Sequence, residues 1–248
     1  MFSRDAQTRS RRRGGTRPRQ LELPWRTWGG KRAGAGRKPA AGRAGVPHRA
    51  RPNHSERHPV HVTMRIERGL PSLRRQVIFA ELRGDFARAS RASFRVVHFS
   101  VQSTHVHLLV EANDTVSLSR GIAGLSIRLA RSVNRVLSRR GRVWGDRYHA
   151  RALRTPRETR HAIVYVLMNF RKHAGSMARD LDAMSSAFWF DGWKPSPRER
   201  DPTDATRQPT AHPGASEDSP VWRPRTWLAR KGWRRHGLIG KDESPSPA

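Results

Sequence analysis

Two strand-like runs lie almost directly one after the other in this 248-residue chain. They constrain its fold more than any other sequence feature. The first reads FRVVHFSVQ from Phe94, and the second reads HVHLLVEA from His105. Only a few polar residues around Gln102, Ser103 and Thr104 separate them. Because two strands joined by so short a connection pair as neighbours of opposite direction, the sequence predicts an antiparallel hairpin.

Alternating and helix-periodic segments flank this hairpin. Before it, the run HVTMRI places apolar residues at every second position, as in a half-buried strand, and LPSLRRQVIFAELRGDFARAS then shows helical spacing. After it, a long helix carries one apolar stripe, with arginines on its remaining surface. The strand residues are Val60, Val62, Met64 and Ile66, those of the first helix are Leu73, Val77, Phe79 and Ala80, and those of the long helix are Leu118, Ile122, Leu125, Leu129, Val133 and Val136.

Two more elements close the pattern. RVWGDRYHARAL indicates a fourth strand, and TPRE marks the start of a further helix, with Thr155 as N-cap, Pro156 at the first helical position and Glu158 completing a capping box. This helix is expected to run to about His173, before Gly175. The order strand, helix, strand, strand, helix, strand, helix predicts an α+β fold with a ferredoxin-like antiparallel sheet and helices packed on it.

The segments outside these elements have a different composition. Residues 1–57 are rich in Arg, Gly, Pro and Ala without periodicity, which predicts a disordered basic arm, or a translated stretch upstream of the true start. Residues 58–193 contain all predicted elements. Residues 194–248 are expected to form a linker and a basic, Trp-rich C-terminal tail.

The charge of the chain indicates its class of partner. A formal net charge of +30 favours a polyanion, and nucleic acid is the obvious one. Six of the 50 basic residues are lysine and the other 44 are arginine. The alternative to a nucleic-acid-binding protein is therefore a chain that is merely rich in arginine. The absence of cysteine excludes disulfides, Cys-based zinc sites and iron–sulfur clusters. Neither a secretion signal nor a membrane span is recognisable, which predicts a cytoplasmic protein.

Two histidines share one face of the predicted third strand. His105 and His107 lie two residues apart, so their imidazoles project from the same side of the sheet. Such a pair requires water, hydrogen-bond partners or a metal ion. The last helix carries a polar stripe at four-residue spacing, formed by His161, Tyr165, Asn169 and His173. The alternative to a reactive Tyr165 is a buried tyrosine with a purely structural role.

These motifs together resemble those of the Y1 transposases of the HUH superfamily, including the IS200-like and REP-associated tyrosine transposases. The hallmarks of that family are a His-hydrophobic-His strand and a downstream helix with one tyrosine. Here HVHLLVE matches the first, RVWGDRYHARAL resembles the strand before the catalytic helix, and AIVYVLMNFRKHAG resembles the tyrosine helix. The resemblance covers about residues 58–193. Thr104 stands where the family often has asparagine, and Phe170 where proline usually follows the asparagine.

The resemblance implies a chemistry for these residues. His105, His107 and Asn169 would bind one divalent ion, Mg²⁺ or Mn²⁺, and Tyr165 would attack a DNA phosphate to form a 5′-phosphotyrosine with a free 3′-OH. Residues 58–193 would then be a catalytic domain that nicks and rejoins single-stranded or hairpin DNA in association with the nucleoid. Two alternatives remain open, a decayed or domesticated relative that binds DNA or RNA without cleavage and a basic RNA-associated protein with structural histidines.

Several other polar residues are weaker candidates. Arg147, His149 and Arg151 alternate along RYHAR and would contact DNA phosphates or form a solvated face. Lys172 lies two helical turns beyond Tyr165 and is a further candidate for a phosphate contact. Glu111 lies on the same face of the strand as His107. It is expected to be a surface carboxylate, and the alternative is that it orients a metal ligand. His61 and His98 are assigned no role. The oligomeric state is open between a monomer and a homodimer.

Overall fold

The sheet contains the predicted hairpin, in which β2 pairs with β3. The computed structural model describes residues 52–171, 181–195 and 219–245. Their four strands are antiparallel and lie in the order β2-β3-β1-β4, which is the ferredoxin-like arrangement and confirms the predicted fold class. The elements are β1 (Val60–Arg65), α1 (Gln76–Ala89), β2 (Phe94–Val101), β3 (His105–Ala112), α2 (Thr115–Val136), β4 (His149–Ala152) and α3 (Pro156–Met168).

One face of the sheet is covered by α1 and α2. Val60, Val62 and Met64 of β1 point to this side, together with the alternate residues Val106, Leu108 and Val110 of β3. The predicted stripe of α2 packs on them, and all its members are buried except the last, Val136, which is partly exposed. Gly121 lies where α2 meets Phe94, because a Cβ there would overlap the phenyl ring at 2.2 Å.

The predicted apolar face of α1 is partly wrong. Val77 is 59% exposed, and the residues that reach the core are Ile78, Leu82 and Phe86, spaced four apart. Two apolar stripes compete on this helix, and the sheet selects the one with the larger side chains. Phe79 and Leu73 are buried as predicted, although Leu73 precedes the helix.

The other face of the sheet is covered by α3. Its capping box forms as predicted, since the Thr155 hydroxyl accepts from the Glu158 backbone N–H at 3.1 Å and the Glu158 carboxylate accepts from the Thr155 N–H at 3.2 Å. Ile163 and Leu167 pack with Leu109 in a second hydrophobic core. The helix ends at Met168. The predicted end at His173 and Gly175 lies outside the described residues.

A segment near the C-terminus completes this second core. It contains the short helix α4 (Trp227–Arg230) and a 3₁₀ helix (Gly232–His236), and it packs against α3. Trp233 is 1% exposed, and its indole N–H donates to the Ala229 carbonyl at 3.1 Å. The Trp-rich residues that the sequence places in a tail therefore pack on the domain, where Trp233 shares a hydrophobic core with Leu109 and Ile163.

Glu111 anchors this C-terminal segment to β3. The carboxylate accepts hydrogen bonds from the backbone N–H groups of Arg225 at 2.8 Å and Thr226 at 2.9 Å, and from the Thr226 hydroxyl at 2.8 Å. It also lies 3.3 Å from Nε of the buried Arg95. Glu111 is 0% exposed, so the expected surface carboxylate is wrong. The reason is that the chain folds back over the end of β3.

The described chain starts before the predicted domain boundary. The backbone N–H of His54 donates to the Thr115 hydroxyl at 2.9 Å, and its ring Nε2 lies 2.9 Å from the Ala112 carbonyl. The remainder of the predicted arm, up to Arg51, lies outside the described residues, so its disorder stays a prediction. Within the described ranges, no helix is long and apolar enough to cross a membrane.

Candidate active site

Two central strands of the sheet bring histidines together. His107 of β3 pairs across the sheet with Thr63 of β1, and His61 lies diagonally opposite, paired with Leu109. The ring centroids of His105 and His107 are 4.6 Å apart with an interplanar angle of 83°, and those of His61 and His107 are 5.5 Å apart. The predicted common face of His105 and His107 is therefore what the structure shows, and it has a third histidine beside it.

Two threonine hydroxyls orient the predicted metal ligands. Thr63 Oγ1 lies 3.1 Å from Nδ1 of His107, and Thr104 Oγ1 lies 3.2 Å from Nδ1 of His105. When each imidazole is neutral with its proton on Nδ1, it donates to the threonine and presents Nε2 as a ligand, the usual arrangement of metal-binding histidines. Thr104 thus supplies a hydrogen-bond partner to the first histidine.

The tyrosine of α3 lies against these histidines. The Tyr165 ring meets His107 edge-on at a centroid distance of 4.9 Å and His61 at 5.5 Å. Tyr165 is partly exposed and lines a surface groove. The structure therefore brings together His105, His107 and Tyr165 from elements that are far apart in the sequence.

His61 is the site residue that sequence reasoning missed. Burial, and after it the positive charge of Arg151, lowers the pKa of His61 to about 4, so this imidazole is neutral at physiological pH. Its Nε2 is buried and makes no hydrogen bond with the residues that the structure describes. A signal was present, because His61 and Thr63 alternate with the apolar residues of β1 just as His105 and His107 alternate with those of β3.

Asn169 occupies the C-cap of α3 and is 2% exposed. It lies four residues beyond Tyr165, on the same side of the helix. Its role as third metal ligand stays a prediction. Among the described residues, no group of three or more His, Cys, Asp or Glu side chains is arranged to hold a metal ion. The two oriented imidazoles fit part of the predicted donor set, and the set needs an amide or another oxygen to complete it.

A groove of about 400 Å³ opens beside Tyr165 and His61. Its walls are the first turns of α3, the end of β4 and residues Glu243, Ser244 and Pro245 of the C-terminal segment. The two arginines that line it are both paired with carboxylates, Arg151 with Glu158 at 2.9 Å and Arg160 with Glu243 at 2.8 Å. The charges of these arginines and carboxylates in the groove therefore nearly cancel.

The predicted DNA contacts of the fourth strand lie on the histidine side of the sheet. His149 pairs with Thr63 and Arg151 pairs with His61, so both project to the same face as His107. Arg147, just before β4, is exposed, as are His149 and Arg151. Lys172 lies outside the described residues. The contacts of these four residues with DNA stay predictions.

Comparisons with known proteins find a match to one family model. Residues 60–166 match the model of the family described as "Transposase IS200 like", a segment that includes His61, His105, His107 and Tyr165. A solved structure of a REP-associated tyrosine transposase bound to a REP hairpin is also similar, with a TM-score of 0.46 and 17% sequence identity over 57% of this chain and 82% of that chain. No curated protein matches the chain.

Proposed function

Residues 60–166 form a domain of the IS200-like Y1 transposase family, and on that premise we propose that the chain nicks and rejoins single-stranded DNA through a covalent bond to Tyr165. One observation carries the proposal. The Tyr165 ring lies 4.9 Å from the ring of His107, on the face of the sheet that also presents His105. A helix on the opposite face would have kept the tyrosine away from both histidines.

The proposed step exchanges one phosphate ester for another. The Tyr165 oxygen attacks the phosphorus, an O–P bond to tyrosine forms, and the bond between phosphorus and the 3′ oxygen breaks. The phenolic proton passes to solvent, and the departing 3′ oxygen takes up a proton from solvent to become a hydroxyl. Because the ester bond is conserved, attack by a 3′-OH on the phosphotyrosine reverses the step and rejoins DNA without ATP.

His61 holds the nucleophile in place in this proposal. Its ring packs against both Tyr165 and His107, so it fixes the angle at which α3 approaches β3. With a pKa of about 4 it is too weak a base to take the phenolic proton efficiently at neutral pH. We therefore assign it to positioning.

A divalent ion completes the proposed site. His105, His107 and Asn169 would hold Mg²⁺ or Mn²⁺, which supplies charge that polarises the scissile phosphate. Thr63 and Thr104 keep the two imidazoles in the orientation that such binding requires. The partner is single-stranded or hairpin DNA, in line with the net charge of +30, and Arg147, His149 and Arg151 are proposed to contact its phosphates.

The decisive experiment scores a protein–DNA adduct on a denaturing gel. Full-length protein is incubated with labelled single-stranded and hairpin oligonucleotides in Mg²⁺ or Mn²⁺. Tyr165→Phe removes only the hydroxyl and should abolish the adduct while leaving binding nearly intact. Tyr148→Phe is the matched control, because Tyr148 is the only other tyrosine of the chain, and it should form adduct like the wild type.

The same assay tests the metal. EDTA should stop the wild-type reaction, and His105→Ala or His107→Ala should lose the adduct, with partial rescue by excess Mn²⁺. Equal adduct formation by wild type and Tyr165→Phe would exclude this nucleophile. Adduct formation that persists in EDTA would exclude the metal.

A second candidate function is DNA or RNA binding without cleavage. It is supported by the formal net charge of +30, which serves binding to a polyanion whether or not the chain cuts it. Under this alternative the wild type binds hairpin oligonucleotides but forms no adduct on any of them with either ion.

A further inference from the structure

A cavity of about 730 Å³ lies at the end of the sheet where β1 begins and β3 ends. Four parts of the chain meet around it, represented by His58 before β1, Asn113 after β3, Arg154 before α3 and Trp227 of α4. The described residues that line it are different from those that line the groove beside Tyr165. Its volume falls within the roughly 300–1,000 Å³ of small-molecule sites, so the cavity is a separate site of ligand size.

The cavity carries an excess of positive charge. Three exposed arginines that line it form no ion pair with a carboxylate in the described part of the chain. They are Arg57, Arg154 and Arg225. A fourth arginine, Arg95, is buried and already paired with Glu111. Because Glu56 is the one acidic side chain in the described lining, the cavity suits a ligand with more than one negative charge.

Trp227 adds an aromatic surface to the same cavity. The residue is 48% exposed, although its ring is held by two neighbours. The Arg235 guanidinium lies over the ring, 4.8 Å from its centroid, and a Cβ on Gly232 would come within 2.6 Å of a ring carbon. A ring that is already fixed loses little freedom when a planar ligand stacks on it. Nucleobases are planar groups that stack on tryptophan in this way.

We propose that this cavity binds a free nucleoside di- or triphosphate, with the base on Trp227 and the phosphates on Arg57, Arg154 and Arg225. The combination of an aromatic surface with several unpaired guanidinium groups carries the proposal. A nucleotide inside a DNA strand brings about one negative charge, whereas a nucleoside triphosphate brings about four to one place. The free nucleotide is therefore the better match for three arginines in one cavity. This binding goes beyond the proposed reaction and does not depend on it.

A ligand in this cavity would connect the C-terminal segment to the rest of the domain. Arg225 and Trp227 belong to that segment, whereas Arg57 precedes β1 and Arg154 precedes α3. Phosphates between these arginines would also remove the repulsion among their charges. Because only the folded chain brings the four residues together, nucleotide should raise the melting temperature by about 5–10 °C at a concentration of about 100 times Kd.

The experiment titrates the full-length protein with ATP by isothermal titration calorimetry at about 0.15 M salt. EDTA is present, so that no divalent ion attracts the nucleotide to the histidines near Tyr165. We expect one site for ATP and at least tenfold weaker binding of adenosine, which lacks the phosphates. Failure of ATP to bind, or equal affinity for ATP and adenosine, would overturn the proposal.

Two variants with matched controls locate the site. Arg57→Gln/Arg154→Gln should weaken ATP about 100-fold, about tenfold for each lost contact with phosphate. Arg68→Gln/Arg120→Gln is its control, with the same change in net charge at exposed positions outside the cavity, and it should stay within about threefold of wild type. Equal losses in the two pairs would mean that ATP binds by general attraction to a cationic protein, which refutes the proposed site.

A third variant tests the aromatic contact. Trp227→Ala should weaken ATP about fivefold or more and leave binding of inorganic tripolyphosphate unchanged, because only ATP has a base to stack. Trp222→Ala is the control, since Trp222 is 42% exposed and lies outside the cavity. Equal losses of ATP and tripolyphosphate affinity in a folded Trp227→Ala protein would contradict the assignment of the base. Should this variant not fold, the arginine pair at exposed positions still decides.

Single-stranded DNA is the competing occupant, and the same proteins distinguish it. A ten-nucleotide strand without a 5′-phosphate is titrated in EDTA against wild type and Arg57→Gln/Arg154→Gln. If the variant loses as much affinity for this strand as for ATP, the cavity is part of a DNA path and the free-nucleotide proposal is wrong. The two proposals of function can fail separately. A wild type that binds ATP as described but forms no adduct refutes cleavage alone, and one that forms adduct without this ATP site refutes the nucleotide site alone.

Discussion

Acid should destabilise this protein through a histidine that is not part of the active site. His98 of β2 is buried against the Phe190 ring at 5.3 Å, and its Nδ1 lies 3.2 Å from the Ser186 hydroxyl. Burial lowers its pKa from 6.5 to about 3. The unfolded chain therefore binds a proton below pH 6.5 while the folded chain does not. Stability is complete above pH 6.5 and falls as the pH drops toward 3.

The size of the effect follows from the two pKa values. At pH 5 the unfolded state gains about 2 kcal/mol from protonating this histidine, since each unit is worth about 1.4 kcal/mol. His61, with a pKa lowered to about 4, adds a similar amount. The wild type should thus lose roughly 4 kcal/mol between pH 8 and pH 5 from these two groups.

Urea unfolding at pH 8 and pH 5 measures this loss. His98→Asn keeps a hydrogen-bonding group for Ser186 but cannot titrate, so its loss should be smaller by about 2 kcal/mol, whatever its stability at pH 8. His236→Asn is the control, because His236 is exposed and should leave the wild-type difference unchanged. If His98→Asn and wild type lose the same free energy of unfolding, the neutral buried state assigned to His98 is wrong.

Two substitutions test other contacts. Glu111→Ala should lower the free energy of unfolding by about 3–5 kcal/mol in urea titrations, because it leaves the buried Arg95 without its ion pair; a loss below 1 kcal/mol would contradict the anchoring role. Thr63→Val should cut adduct formation about 10–100-fold at low Mn²⁺, with recovery at high Mn²⁺, because His107 loses the partner that orients it. An unchanged Mn²⁺ dependence in Thr63→Val would show that the hydroxyl does not act through a metal.

Local sequence patterns predicted the structure correctly where one pattern in a segment was stronger than any competing one. The capping box at Thr155, the short connection between β2 and β3, and the stripe of α2 each specify one structure, and each forms as predicted. In α1 two apolar stripes compete, and nothing local shows that the sheet buries Ile78 while Val77 stays exposed. The prediction failed there because packing against the sheet, rather than periodicity, decides the rotation of the helix.

The site was predictable to the extent that its residues lie on one element. His105 and His107 share a strand, and the spacing within α3 marks Tyr165. His61 joins them only because β1 inserts between β3 and β4, which is a property of the sheet order. Glu111 meets its partners only because the chain returns from beyond residue 219. Such long-range pairings leave no periodic trace in a single sequence.

The late position of the C-terminal segment has a consequence for protein synthesis. Trp233 and Ile239 belong to the same hydrophobic core as Ile163 and Leu167 of α3, yet they leave the ribosome much later. Until then the helix that carries Tyr165 packs on the sheet through Leu109 but lacks the apolar contacts of the C-terminal segment. A polypeptide released before residue 219 would contain every hallmark residue, but its tyrosine helix would be poorly held and exposed to proteolysis. A chain that ends before residue 219 would therefore hold α3 less firmly than the full sequence does.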